Sequence, residues 1–141
     1  MPVDLVRIDL SRVYAQVVDV LSCFPEVIGA YHFGSSLDLC RPDSDIDIGV
    51  VLRPLFSFEE KKADKIQNEI SNKLRPLDGH PFDVVVLNTL PSVLAFPIVK
   101  KGRLVYQADR AAILDFLEAL SRRYGEDYPR YAAALKAIVG V

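Results

Sequence analysis

The 141 residues of this chain are enough for one domain of ordinary size, and half of them are hydrophobic, which suffices for a sizeable core. The formal net charge of −2 argues against the basic surface on which electrostatic nucleic-acid binders depend, and no apolar run approaches the roughly 18–20 residues of a membrane span. The N-terminus lacks a signal-peptide pattern. We therefore expect a soluble cytoplasmic protein that does not contact a membrane, and we disfavour nucleic acid as a partner.

The first half of the chain predicts a helix followed by two strands. Apolar residues recur at helical spacing from about Leu5 to Phe24, and Pro25 stops that helix. A buried strand follows at Val27–Phe33, then a turn-rich segment at 34–44, then a second strand at Asp45–Leu52. Because the connection between the strands is short, we expect them to be antiparallel neighbours.

The middle of the chain alternates helix and strand. Ser57 is typical of an N-cap, and Glu60 three residues later completes a capping box for the next helix. Phe82–Leu87 predicts a third strand that is apolar except for one acid. A short helix runs from Pro91 toward Lys101, and we expect Pro97 to bend or end it.

The C-terminal part predicts an edge strand and two helices. Arg103–Gln107 reads as the strand, and Asp109 caps a helix through Arg123 that Gly125 ends. A final helix is predicted from about Pro129 to Val139. The whole order predicts an α/β (α+β) fold with a mixed sheet and flanking helices. We expect one domain over residues 1–141, with C-terminal helices from about residue 109.

The two cysteines form no CxxC motif, so the sequence predicts neither a disulfide framework nor a zinc site. Cys23 lies near the end of the first predicted helix, and we interpret it as a core residue. Cys40 falls in the turn-rich segment, and we interpret it as an exposed loop thiol.

Three acids and a Gly-Ser pair carry the chemistry of the sequence. Asp45 and Asp47 share one face of a strand, because strand side chains alternate. Asp83 interrupts an apolar strand, where a carboxylate is costly to bury without a partner. Gly34 allows close approach of the backbone and Ser35 offers a hydroxyl, both of which suit a phosphate. If the strands are adjacent, this set can hold a nucleoside triphosphate and one or two Mg²⁺ ions.

Simpler interpretations exist for each part of this pattern. Asp45 and Asp47 alone are typical of a solvated strand end, and Asp83 alone of an acid paired with a nearby lysine. We interpret His32 and His80 as hydrogen-bonded structural histidines. A small basic cluster also occurs, and we interpret it as a solvated helix end rather than a phosphate contact, with contact to a partner protein left open; its members are Lys100, Lys101 and Arg103.

The acid pattern resembles a known signature. Gly34-Ser35 followed by Asp45-Ile46-Asp47 is similar to the GS…DxD motif of the polymerase-β-type nucleotidyltransferase superfamily. The short length and the position of Asp83 resemble the minimal nucleotidyltransferase (MNT) proteins. The segment Asn88–Tyr106, which contains Gly102-Arg103-Leu104-Val105-Tyr106, also resembles the MNT antitoxins, which pair with HEPN-domain ribonuclease toxins.

The resemblance implies a nucleotidyltransferase fold and a role for each site residue. Gly34 and Ser35 would contact the triphosphate, and Ser44 lies where it could approach it. Asp45 and Asp47 would ligate Mg²⁺, with Asp83 completing the metal site and accepting a proton. The implied reaction transfers AMP from ATP to a tyrosine hydroxyl of a cognate HEPN toxin.

The sequence departs from the family pattern after the Gly-Ser pair. Many MNT proteins carry Ala-Arg-Gly there, whereas this chain has Ser36–Cys40, in which Asp38 would repel phosphate if it pointed inward. Arg41 is a possible substitute for the missing arginine. Two alternatives therefore stay open: a catalytically weakened MNT domain that neutralises its partner by stoichiometric binding, and a nucleotidyltransferase that acts on a small-molecule hydroxyl.

Overall fold

The computed structural model describes residues 4–54 and 60–140. Within those ranges the helices are α1 (Leu10–Leu21), α2 (Glu60–Lys73), α3 (Ser92–Lys101) and α4 (Arg110–Val139), and the strands are β1 (Val27–Phe33), β2 (Ile46–Leu52), β3 (Phe82–Val86) and β4 (Arg103–Gln107). The strand order is β3-β2-β1-β4; β1 runs antiparallel to β2 and β4, whereas β2 and β3 are parallel. The predicted mixed sheet with flanking helices is confirmed, as is the antiparallel pairing of the first two strands.

Helices cover both faces of the sheet. The buried side chains of α1 and α2 form one apolar cluster with Ile46 and Ile48 of β2. A second cluster joins Val51 of β2 to Ile113 of α4 and to apolar residues of α3. Because side chains alternate along a strand, Asp47 lies on the same face as Val51, the face that α3 and α4 cover.

Helix α1 is shorter at both ends than the predicted span from Leu5 to Phe24. Its start is fixed by Asp9, whose carboxylate accepts hydrogen bonds from the backbone N–H groups of Ser11 (3.1 Å) and Arg12 (3.4 Å). Such an N-cap satisfies donors that the first turn leaves without intrahelical partners. The apolar periodicity before Asp9 therefore belongs to an extended segment and not to the helix.

The exposure of the two cysteines is the reverse of the prediction. Cys40 is buried, because Val6 and Cys40 exchange two backbone hydrogen bonds of 2.8 and 2.9 Å that draw this segment against the core. Cys23 lies just beyond the end of α1 and is exposed. Val6 and Cys40 are far apart in the sequence, so no local sequence pattern predicts the backbone bridge between them.

The predicted break in the C-terminal helix is wrong. Helix α4 is continuous over 30 residues and contains both Gly125 and Pro129. Aromatic contacts on either side of Gly125 stabilise the helix there. Tyr124 stacks on Phe96 of α3 with ring centroids 4.2 Å apart, and Tyr128 stacks on Tyr124 at 5.2 Å. Tertiary packing therefore outweighs the local preference of glycine and proline to end a helix. Pro97 likewise lies inside α3 and does not end it.

The start of α2 cannot be compared with the predicted capping box. The proposed N-cap Ser57 and the side chain of Glu60 lie outside the part of the chain that the structure describes. From residue 60 onward the helix packs its buried Ala63 and Ile70 against the sheet, as the apolar stripe predicts. Across the described ranges, no helix combines the length and hydrophobicity that crossing a membrane requires.

Candidate active site

Adjacent parallel strands bring two of the three predicted acids side by side. Asp47 of β2 and Asp83 of β3 are register partners, so their side chains share one face of the sheet. Asp45 directly precedes β2. We call these three residues the acid edge. The buried Ile46 and Ile48, on the opposite face of β2, fix the strand that carries Asp47.

The electrostatics of the acid edge show that its carboxylates interact. The pKa of Asp47 is raised to about 6, mainly because the carboxyl group is partly buried and also because of the negative charges of Asp83 and Asp45. Asp47 is half-buried, whereas Asp45 and Asp83 are exposed. Like charges held this close destabilise one another, and a cation placed among them would remove that repulsion.

The acid edge is not a closed metal cage. Among residues 4–54 and 60–140, no group of three or more Asp, Glu, His or Cys side chains has the placement of a metal-binding cluster. The donor chemistry nevertheless fits a hard divalent cation, because carboxylate oxygens are its usual protein ligands and Mg²⁺ takes only one or two of them beside substrate phosphates.

The turn after β1 packs directly against the acid edge. Phe33 pairs with Asp47 in the β1–β2 register, and Gly34 follows with a φ of +82°. A Cβ atom at Gly34 would overlap the Asp47 carboxylate, so both the backbone conformation and the available space require glycine. Ser35, which is exposed, begins a short 3₁₀ turn beyond it. The structure thus brings Gly34 and Ser35 to the edge where the sequence predicts phosphate binding.

A buried histidine anchors this turn from behind. His32 is fully buried, and its Nε2 lies 2.7 Å from the hydroxyl of buried Ser36. Burial, with a smaller contribution from the charge of Arg103, lowers the pKa of His32 to about 4, so the ring is neutral at pH 7. Sequence reasoning predicted a structural His32 but assigned Ser36 no role; the spacing of four residues from the histidine was the available signal.

The charged side chains between Ser36 and the acids are exposed and form ion pairs. Asp38 pairs with Arg7 at 3.3 Å, both side chains being largely exposed, and Arg41 pairs with Asp43 at 3.2 Å. In this structure Asp38 and Arg41 are therefore each paired with an oppositely charged residue at the surface.

Ser44 shapes the approach to Asp45 through its backbone. Its N–H donates to the carbonyl of Arg41 at 3.0 Å, and its own carbonyl accepts a hydrogen bond from Nδ1 of His80 at 2.8 Å. These contacts give both residues a structural role. The participation of the Ser44 hydroxyl in nucleotide binding stays a prediction.

A cavity of about 580 Å³ lies at the other end of the sheet. Its lining includes Ile28 near the start of β1, Leu52 at the end of β2, and Phe116 of α4. Since β1 and β2 are antiparallel, this end is the one remote from Gly34 and Asp47. This cavity is thus separate from the acid edge.

Comparison with known proteins decides the family. Residues 15–111, more than half of the chain, match the family described as polymerase beta, nucleotidyltransferase, and this stretch includes every residue of the acid edge and of the Gly34 turn. The chain belongs to the polymerase β nucleotidyltransferase family. No curated protein sequence matches it.

Solved structures of toxin–antitoxin complexes contain chains with a similar fold. One, from a mutant of the complex MntA–HpeT, gives a TM-score of 0.67 at 18% identity and covers 89% of this chain and 98% of that chain. Another comes from the tri-AMPylated Shewanella oneidensis HEPN toxin in complex with MNT antitoxin, with a TM-score of 0.67 at 17% identity over 93% and 99% of the two chains. A toxin–antitoxin structure with AMP-PNP gives 0.65 at 18% identity over 89% and 98%. These likenesses confirm the expected nucleotidyltransferase fold.

Proposed function

We propose that this nucleotidyltransferase is an MNT antitoxin that transfers AMP from ATP to a tyrosine hydroxyl of a HEPN toxin. The observation on which the proposal rests is the pairing of Asp47 with Asp83 beside the turn at Gly34, a position that requires glycine. The family to which the chain belongs gives this geometry its meaning. Two of the similar structures add support, since one contains an AMPylated HEPN toxin with an MNT antitoxin and another contains AMP-PNP.

In the proposed reaction each site residue has a distinct task. The backbone of Gly34 and the hydroxyl of Ser35 bind the phosphates, with Ser44 nearby. Asp45, Asp47 and Asp83 would hold Mg²⁺, which neutralises phosphate charge and aligns the reacting groups when bound. Asp83, which is exposed, accepts the proton of the incoming hydroxyl. The tyrosine oxygen bonds to the α-phosphorus, the bond to the β-phosphate oxygen breaks, and pyrophosphate leaves.

The last turns of α4 offer a surface for the partner. Large side chains recur there at alternating intervals of four and three residues, the spacing by which one helix packs along another, and we call them the α4 seam: Tyr124, Tyr128, Tyr131, Leu135 and Ile138. All but Tyr124 are exposed, with Ile138 at 79%. We propose that the α4 seam contacts the toxin, because exposed apolar patches of this kind mark protein interfaces and the similar structures are complexes.

The test is transfer of label from [α-³²P]ATP to the partner in the presence of Mg²⁺. We expect the Asp45→Asn/Asp47→Asn variant to lower the transfer rate by at least about 100-fold, because it removes charge from the site that binds the metal. Asp43→Asn is the matched control, since Asp43 is an exposed acid of the same segment and pairs with Arg41. Equal transfer by the double variant and the wild type contradicts the proposal.

A second candidate is neutralisation by stoichiometric binding alone. It is favoured by the lack of a preformed metal cluster among the described residues and by the ion pair that Arg41 makes with Asp43. Cell protection separates the two functions. If the Asp45→Asn/Asp47→Asn variant still binds the toxin but no longer protects cells, transfer is required; if it protects as well as the wild type, binding is sufficient.

A further inference from the structure

A second cavity, of about 330 Å³, lies between the turn after β1 and the end of α3. Gly34 and Leu37 line it from the turn, and Ile98 and Lys101 line it from the helix. Because the same Gly34 contacts the Asp47 carboxylate, the cavity adjoins the acid edge. The last turn of α3 therefore faces the proposed phosphate site.

Gly102 makes this close approach possible. A Cβ atom there would lie 2.5 Å from the carbonyl oxygen of Ile98 and 3.1 Å from that of His32. The Gly102 N–H donates to the Ile98 carbonyl at 2.8 Å and closes the helix, and the next residue, Arg103, pairs with His32 in the sheet. The position of Lys101 relative to the Gly34 turn is thus fixed by backbone contacts and not by its own flexible side chain.

Lys101 is the cation that remains available at this turn. Arg7 and Arg41 pair with Asp38 and Asp43, and Arg103 donates to the hydroxyl of Tyr14 at 3.0 Å. Within the described part of the chain, Lys101 makes no ion pair or hydrogen bond. Residues 34–40 contain no basic side chain at all.

A triphosphate bound beside three carboxylates requires positive charge from the protein as well as from a metal. We propose that Lys101 binds the β- or γ-phosphate of the nucleoside triphosphate at the Gly34–Ser35 turn, a role that rests on the proposed function for the identity of the ligand. The apolar wall formed by Phe33, Leu37 and Ile98 strengthens this contact, because Coulombic attraction grows as water is excluded. The lysine interpreted from sequence as part of a solvated helix end is thus a substrate-binding residue.

The test compares two neighbouring lysines in the full chain. Isothermal titration calorimetry with ATP, ADP and AMP in Mg²⁺ should show that Lys101→Ala lowers ATP affinity about tenfold and AMP affinity less than about twofold. Lys100→Ala removes the same charge from the same exposed helix end but does not line the cavity, so ATP affinity should stay within about twofold of the wild type. Lys101→Arg should retain most of the affinity.

Each outcome bears on one proposal or both. Equal losses from Lys100→Ala and Lys101→Ala, or a loss as large for AMP as for ATP, overturn the role of Lys101. If the wild type transfers AMP but Lys101→Ala leaves both ATP affinity and KM unchanged, the inference fails while the proposed function stands. If the wild type binds ATP through Lys101 but transfers no AMP to the toxin, the proposed function fails and the lysine site remains. A wild type that binds no nucleotide overturns both.

Discussion

The acid edge and the α4 seam depart from the usual distribution of polar and apolar groups in opposite directions. At the acid edge a carboxylate, Asp47, is half-buried among other negative charges. At the α4 seam large apolar side chains are exposed, including Tyr128 at 46% and Ile138 at 79%. Apolar side chains are usually buried and charged ones exposed, so a buried charge or an exposed apolar surface is informative. The first exception supports the proposed cation site at the acid edge, and the second supports the proposed toxin contact at the α4 seam.

The largest expected effect is on the free energy of unfolding, when an isoleucine in each of the two regions is replaced by alanine. Ile48→Ala, directly behind the acid edge, should lower the free energy of unfolding by about 2–5 kcal/mol, because Ile48 is fully buried in β2. Ile138→Ala in the α4 seam should change it by less than about 0.5 kcal/mol. Urea unfolding of the isolated chain measures both. Comparable losses would show that the end of α4 is part of the stable core, which contradicts the comparison.

The next effect tests the contact between the turn and the acid edge. Gly34→Ala should lower AMP transfer about 100-fold, since the new Cβ atom displaces either the turn or the Asp47 carboxylate and small misplacements of reacting groups are costly. Gly79 also has a positive φ, of 83°, but nothing lies within 4 Å of a Cβ atom there. Gly79→Ala is therefore the control for backbone strain alone. Similar transfer rates for the two variants would remove the steric argument.

The strands and the acids could be predicted because their signals are local. Val27–Phe33 and Arg103–Gln107 form strands with the predicted bounds, since β-branched and aromatic residues stand there between Pro, Gly and polar residues. Asp83 is conspicuous in an apolar strand for the same reason. The pairing of β2 with β3 in the register that aligns Asp47 with Asp83 had to be assumed at the level of the sequence. That register depends on packing across the whole sheet.

Non-local contacts account for the predictions that were wrong or incomplete. Gly125 and Pro129 are local helix-ending signals, but the ring stacking of Phe96, Tyr124 and Tyr128 crosses that region and α4 continues. The sequence marks Lys101 only as a member of a basic cluster, because its distance from Gly34 is set by the packing of Gly102 against β1. Local periodicity cannot report contacts between residues that are distant in the sequence.

The α4 seam should matter for the partner and not for the fold. Leu135→Ala should weaken toxin binding by about 2 kcal/mol, roughly 30-fold, as truncation of a residue at the centre of an interface does. Leu5→Ala is the matched control, because Leu5 is similarly exposed (55% against 43%) but belongs to the segment before α1. Biolayer interferometry with immobilised toxin measures both affinities. Unchanged binding by Leu135→Ala, or an equal loss with Leu5→Ala, would place the toxin elsewhere.

The smallest effect concerns pH, where two groups of the site act in opposite senses. The pKa of His32 is lowered in the folded state, so its contribution to stability is present above its ordinary value of 6.5 and is lost as pH falls through about 4. The pKa of Asp47 is raised, so its contribution is present below 3.8 and is lost as pH rises through about 6. Between pH 4 and pH 6 the two contributions offset each other.

Single variants should separate the two contributions. Without Mg²⁺, Asp47→Asn should raise the free energy of unfolding by about 1 kcal/mol at pH 7.5 relative to pH 4, because it removes a charge that burial and its neighbours disfavour. His32→Gln keeps an amide within reach of Ser36 and should flatten the loss of stability between pH 6.5 and pH 4. Chemical unfolding between pH 4 and pH 7.5 measures both pH dependences. If Asp47→Asn leaves the pH profile of the wild type unchanged, the carboxylates of the acid edge do not repel one another, and the electrostatic reason for placing a cation there is lost.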